Sequence, residues 1–200
     1  MSLHVAVDLD DVTVDFWPTI LRRMEEEFGV DVLSGFDGDP WGDVAVATGK
    51  HRVFAEAGYR DWWDWISDRP WLWASCPPVP GAIGGIKRLR AAGHYVEAVT
   101  SKPEWAEPIV WQWLGDNCPM FNRVTVLPLA HAKADWTGAD IMVDDKLATC
   151  QSFVKSGRIG IWFNRGPGGH GPTQDGLIEV RNWEEVIARV EGIDLYASTV

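Results

Sequence analysis

The chain has 200 residues, 46% of them hydrophobic, enough for one domain with a core and a modest insertion. Its 29 acidic side chains against 18 lysines and arginines leave a net charge of −11, which argues against a surface built to grip nucleic-acid polymers or an anionic membrane. No apolar run approaches the roughly 18 to 20 residues needed to cross a bilayer. Asp8 and Asp10 interrupt any signal-peptide core, and the three scattered cysteines (Cys76, Cys118, Cys150) suit a reducing cytoplasm better than a disulfide or zinc framework.

From the N-terminus, "LHVAVDLD" (3–10) is short, valine-rich and not cleanly alternating, which predicts a buried strand. Four carboxylates then fall within eight positions: Asp8, Asp10, Asp11 and Asp15. Such crowding has a plain explanation, an acidic turn with one Asp capping the next helix. It also has a chemical one, a place where a divalent cation and a phosphoryl group meet. "FWPTILRRMEEEFG" (16–29) carries Phe16, Ile20, Leu21, Met24 and Phe28 at helical spacing, with Gly29 as the stop. Between 17 and 80 strand signals are weak, and seven of the thirteen tryptophans collect there (17, 41, 62, 63, 65, 71 and 73) ahead of the proline-rich "CPPVPG". This stretch reads as a mainly helical lobe inserted after the first strand.

From 81 onward helices and strands alternate. "GAIGGIKRLRAAGH" and "EPIVWQWLGDN" predict helices around the strand "YVEAVTSKP"; "NRVTVLPL", "ADIMVDDK" and "RIGIWFN" predict further strands; "LATCQSFVKSG" and "NWEEVIARV" predict helices. The alternation predicts an α/β fold with a mostly parallel sheet covered on both faces. "NRGPGGHGPTQDG" (164–176) reads as a glycine- and proline-rich loop.

Ligands of such sheets bind at the carboxyl ends of the strands. Those ends carry Asp8-Leu9-Asp10-Asp11, Thr100-Ser101-Lys102, His131 with Lys133 beyond the third strand, and Asp144-Asp145-Lys146. Each has a bland reading as helix cap, first-turn acid or solvated lysine. Together they place acid, hydroxyl, base and acid on one rim, which favours a joint chemical role. The set suits a phosphate monoester. Magnesium needs only one or two carboxylates plus a phosphate oxygen, and Asp8 and Asp145 can supply them from neighbouring strands. Thr100 and Ser101 offer a hydroxyl and N–H groups, and Lys133 a fixed positive charge. Asp8 is then the nucleophile and Asp10 the proton carrier for the leaving oxygen.

In that order, "VDLDDVTVDF", "VTSK", Lys133 and "IMVDDK" resemble the four motifs of the haloacid dehalogenase (HAD) superfamily. "DLDDVTVDF", the "TS" pair and the tandem "DD" resemble more narrowly the 5′(3′)-deoxyribonucleotidase family, as does the passage "PWLWASCPPVPGAIGGIKRLRAAGHYVEAVTSKP". The resemblance covers most of positions 3 to 160. It implies a Rossmann-like three-layer α/β/α core, 1–16 and 81–200, with a helical cap inserted at 17–80. It further implies an aspartyl-phosphate on Asp8, with Asp10 as general acid and then base. Mg²⁺ would lie on the Asp8 side chain, the Asp10 carbonyl and Asp145, with Asp144 nearby, and Thr100, Ser101 and Lys133 would hold phosphate. Relatives close the sugar-base pocket with aromatics; Phe16 matches one, and Trp65, Trp62 and Trp41 are the cap candidates.

Two positions depart from the family pattern: Asp11 stands where Gly is usual, and His131 where related enzymes often carry Arg, facing substrate. The expected activity is Mg²⁺-dependent hydrolysis of (deoxy)nucleoside monophosphates in the cytoplasm, acting on a small phosphoester and compatible with a homodimer. The alternatives are a HAD phosphatase for another small phosphoester, or a catalytically silent binding protein of the same fold. A two-component receiver domain fits poorly, because its lysine follows the other site residues whereas Lys133 precedes the final acid pair. It also lacks the 90-position gap between Asp10 and Thr100.

Overall fold

The structure, a computed structural model, describes residues 2–34, 44–49, 51–117, 119–166, 171 and 174–197. Trp41 and Cys118 lie outside the described residues, as do parts of the 17–80 and 164–176 stretches.

Six strands form one sheet in the order β3-β2-β1-β4-β5-β6, and every adjacent pair is parallel. They are β1 (His4–Val7), β2 (Tyr95–Ser101), β3 (Arg123–Leu127), β4 (Ile141–Asp144), β5 (Ile159–Phe163) and β6 (Leu177–Val180). The helices between and beyond them are α1 (Phe16–Phe28), α2 (Val44–Gly49), α3 (Val53–Glu56), α4 (Trp62–Ser67), α5 (Pro70–Ala74), α6 (Ala82–Ala91), α7 (Glu107–Asn117), α8 (Leu147–Lys155) and α9 (Trp183–Ala197). This is a Rossmann-like α/β fold with a helical cap, α1 to α5, between β1 and β2.

Successive strand residues face opposite layers. Val5, Val7, Ile141, Val143 and Ile161 pack under α6 and α9 with Ile86, Leu89, Val186 and Val190. Ala6, Val99, Leu127 and Met142 face the other way, onto Phe153 of α8. Burial on both faces explains why the strands read as apolar runs and not as alternating patterns. Close packing also fixes Gly85 in α6, where an added Cβ would lie 2.3 Å from Cε3 of Trp183. Trp183 in turn donates its indole N–H to the Val12 carbonyl at 2.7 Å, tying α9 to the acidic loop after β1.

Three local expectations need correction. Residues 177–180 form a sixth strand with no strong sequence signal, because "LIEV" is short and pairs only at the sheet edge with β5. Helix α9 runs to Ala197, beyond the expected end at 190. The first strand stops at Val7, and Asp10 belongs to the turn that follows it.

Candidate active site

β1 sits between β2 and β4, with Val7 level with Ala98 and Val143, so the segments after these strands meet on one rim. Asp8 continues β1, its N–H donating to the Val143 carbonyl at 2.9 Å. The chain then turns sharply. Thr13 and Val14 N–H groups donate back to the Leu9 carbonyl, and the Thr13 hydroxyl donates to the Asp8 carbonyl at 2.8 Å. Asp15 N–H donates to Pro77 and Val79 N–H to Thr13, so the outgoing and returning links to the cap lie side by side.

Asp11 occupies the left-handed region with φ 57°, a conformation natural to Gly. Its side chain is buried, and its carboxylate accepts the Trp17 N–H at 3.0 Å. It therefore caps α1 from a distance. Asp15, at the N-cap position itself, makes no such bond and pairs instead with Arg165 at 2.6 Å. An Asp does cap the helix, but it is Asp11.

On the rim, Lys133 holds the acidic centre together. Its ammonium lies 2.8 Å from Asp8 and 2.7 Å from Asp144, and all three side chains are buried. The other Asp144 oxygen accepts the Lys146 N–H at 2.8 Å. Burial opposes a charged Lys133, yet Asp144 and Asp8 outweigh it and raise its pKa. Burial likewise disfavours ionised Asp8, but Lys133, with Lys146 and Lys102 farther out, overcomes this and lowers its pKa. Asp144 goes the other way, raised by burial and by the charge of Asp8. Asp145 is raised well above the ordinary value by burial and then by its neighbours Asp144 and Asp8. One Asp145 oxygen, Oδ1, is buried without a hydrogen-bond partner.

A divalent cation fits this set. Asp8, Asp144 and Asp145 each bring a carboxylate oxygen into a group whose atoms lie within 4.8 Å of one another. An unpartnered buried oxygen and carboxylates that burial pushes toward protonation are what a hard cation would relieve. Oxygen donors of this kind suit Mg²⁺.

A cavity of about 430 Å³ opens above the cluster. Asp8, Asp10, Asp145, Thr100, Ser101, Lys133 and Lys146 line its polar end; Phe16, Trp17, Trp62 and Trp63 supply aromatic wall, and Leu129 and His131 line the side formed by the loop after β3. Trp62 stacks on Trp63 with centroids 3.9 Å apart, and Trp17 meets Trp62 edge-on at 4.7 Å. His131 is exposed and stands edge-on to Trp136 at 5.1 Å.

Trp65 does not line this cavity. It is fully buried inside the cap, packed against Phe28 and Phe54, with its indole N–H donating to Glu27 at 3.2 Å. Trp62 and Trp65, three apart, share one face of α4 and both meet α1, but Trp62 lies against Phe16 and Trp17 at the cavity end of that helix and Trp65 against Phe28 and Glu27 at its far end. From the sequence, Trp17, Trp63 and Lys102 are named but none is given a place in the site. Trp17 follows Phe16 directly, and Lys102 follows the hydroxyl pair, so proximity to a motif was the available signal for both.

The family model for 5′ nucleotidase, deoxy (pyrimidine), cytosolic type C protein (NT5C) matches residues 2–192. The chain belongs to this family. It is therefore a hydrolase of phosphoric monoesters, of the HAD type. Among curated proteins none matches the chain. Among solved structures, it is similar to the HAD-hydrolase YfnB from Bacillus subtilis, with TM-score 0.64 and 14% identity over 92% of this chain and 96% of that one. A haloacid dehalogenase-like hydrolase from Xanthomonas campestris gives TM-score 0.62 and 16% identity over 100% and 99%. The L-2-haloacid dehalogenase RSc1362 gives 0.64 and 15% over 96% and 100%. At these identities the likeness speaks for the fold. Among the described residues no helix is long and apolar enough to cross a membrane.

Proposed function

We propose that the chain hydrolyses nucleoside monophosphates, deoxyribonucleotides among them, in a Mg²⁺-dependent reaction through an aspartyl-phosphate on Asp8. One observation carries the reading: Asp8 and Lys133, which also bridges to the buried Asp144, line one cavity together with Asp145, whose Oδ1 is orphaned, and the indoles of Trp17, Trp62 and Trp63. That juxtaposition suits a ligand with a phosphoryl group at one end and a flat ring at the other.

Lys133 holds Asp8 ionised against the cost of its burial, and Asp8 Oδ1 is fixed by accepting the Leu9 N–H at 2.7 Å. Asp8 attacks phosphorus and the ester P–O bond breaks; Asp10 delivers its proton to the leaving oxygen. Asp10 then takes a proton from water, which attacks the acyl phosphate and regenerates Asp8 with release of inorganic phosphate. Thr100, Ser101 and Lys133 bind the phosphoryl oxygens. Asp8, Asp145 and the Asp10 carbonyl would hold Mg²⁺, with Asp144 alongside, and the ion would neutralise charge on the phosphoryl group. Phe16, Trp17, Trp62 and Trp63 take the base, while His131 faces the ligand from the opposite side.

Residues 1–16 and 81–200 act in this scheme as the catalytic core and 17–80 as the cap. The orthorhombic form of YfnB is bound to magnesium and reveals interdomain movement in that protein; the same metal and a moving cap are proposed for this one. A cytoplasmic enzyme acting on free small molecules accords with the net charge of −11.

The test is a panel of deoxynucleoside and ribonucleoside monophosphates and sugar phosphates, each with Mg²⁺ or with EDTA. Nucleotide turnover that EDTA abolishes is expected. Turnover indifferent to EDTA would remove the mechanism, whereas preference for a sugar phosphate over every nucleotide would remove the substrate assignment.

A further inference from the structure

The Asp10 carboxylate has its own pair of holders. Lys102, whose side chain is 2% exposed, bonds one oxygen through its ammonium. Trp73 of α5, in the cap, donates its indole N–H to the other at 2.8 Å. The same ammonium lies over the Trp73 ring, 4.6 Å from its centroid, and over that of Phe16 at 5.5 Å, so two aromatic faces contact it. Asp10 lines the cavity, yet its side chain is not among the three carboxylates that converge within 4.8 Å. Two residues from Asp8 and beside a site that attracts cations, a free carboxylate would be drawn into the same cluster. Something must keep it out.

We propose that Lys102 and Trp73 are positioning residues that hold the Asp10 side chain on the leaving-group side of the cavity, apart from the cation cluster. The inference rests on the phosphatase reading above and adds the reason two nearby aspartates do different work. Because Trp73 belongs to the cap and Lys102 to the core, the hold is complete only with the cap seated. Lys102 contacts the Asp10 carboxylate and so fixes where the proposed proton carrier sits; its loss should tell in the step in which a proton is given up.

The experiment compares wild type, Lys102→Met and Trp73→Phe with Mg²⁺ present, measuring first-turnover release of the leaving group from a nucleoside 5′-monophosphate and from p-nitrophenyl phosphate. The nitrophenolate needs no proton to depart; the nucleoside alkoxide does. Lys102→Met should slow nucleoside release by about 100-fold, the low end of general-acid effects, leave nitrophenolate release within about threefold, and leave KM for both unchanged. Trp73→Phe should act in the same direction and more weakly. A Lys102→Ala variant should recover nucleoside release on adding ethylamine, which a purely structural lysine would not show. Equal slowing with both substrates, or a raised KM with no change in first-turnover rate, would overturn the proposal. A crystal structure of Lys102→Met provides a readout independent of turnover: Asp10 left in place overturns the proposal even if the wild type proves inactive on every monoester. Wild-type inactivity itself would count against the phosphatase reading alone.

Discussion

At Asp11 backbone and charge pull in the same direction. An L-residue in the left-handed region is strained relative to Gly, and this one carries a carboxyl that burial, then Asp10, pushes well above its ordinary pKa. A carboxyl with a raised native pKa binds its proton more tightly folded than unfolded. Its favourable contribution is therefore complete below the ordinary value of 3.8 and is lost as pH rises through the native value. Against this stands the capping bond to Trp17. Asp11→Gly should therefore stabilise the metal-free protein by about 1 kcal/mol at pH 7.5, or about 2–4 °C in Tm for a chain of this size, with a smaller gain at pH 4. Thermal unfolding in EDTA at the two pH values checks this; a gain larger at pH 4 would contradict the assigned direction.

At the scale of elements, the C-terminal helix governs the position of the acidic loop more than its distance in sequence suggests. Trp183 lies against Gly85 of α6 and bonds the carbonyl of Val12, four residues beyond Asp8. Gly85→Ala would drive a methyl group into the indole in a well-packed layer, and overpacking of this kind costs roughly 1–3 kcal/mol. The expected outcome is a lower denaturation midpoint with an unchanged m-value. Because Trp183 holds the loop, part of the catalytic rate should fall as well. Full stability in the variant would mean that α6 and α9 separate freely, against the packing described.

How far the sequence could be read also follows elements. Strands buried on both faces and helices with a clear apolar stripe declared themselves, α1 down to its Gly29 stop, where φ is 68°. The strand ends were equally legible, because acids and a lysine stand directly after apolar runs. Edge strand β6 was not, since pairing with a single neighbour demands little of "LIEV". Within the cap, composition revealed a tryptophan-rich lobe but not which indoles reach the cavity. Trp62 and Trp65 are chemically alike and three residues apart, and only the packing of α4 against α1 separates them. Nor does spacing reveal that Lys102 pairs with Asp10 across 92 positions.

For the whole molecule, an acidic chain manages an anionic substrate by keeping its positive charge local. Lys133 is committed to Asp8 and Asp144, Lys102 to Asp10, and Lys146 lines the cavity. On the proposed reading, the remaining need, charge neutralisation at the phosphoryl group, would fall to a cation held by carboxylates whose pKa burial raises. Cap and core meet at this point, since the aromatic wall comes chiefly from α1 and α4 and the acids from the sheet.

The most direct measurement is to quench a reaction with a nucleoside monophosphate in acid during the first turnovers and map the phosphorylated peptide. The account predicts phosphate on the peptide containing Asp8, and none on any peptide of Asp8→Asn. Label on another residue, or turnover by Asp8→Asn at the wild-type rate, would contradict it.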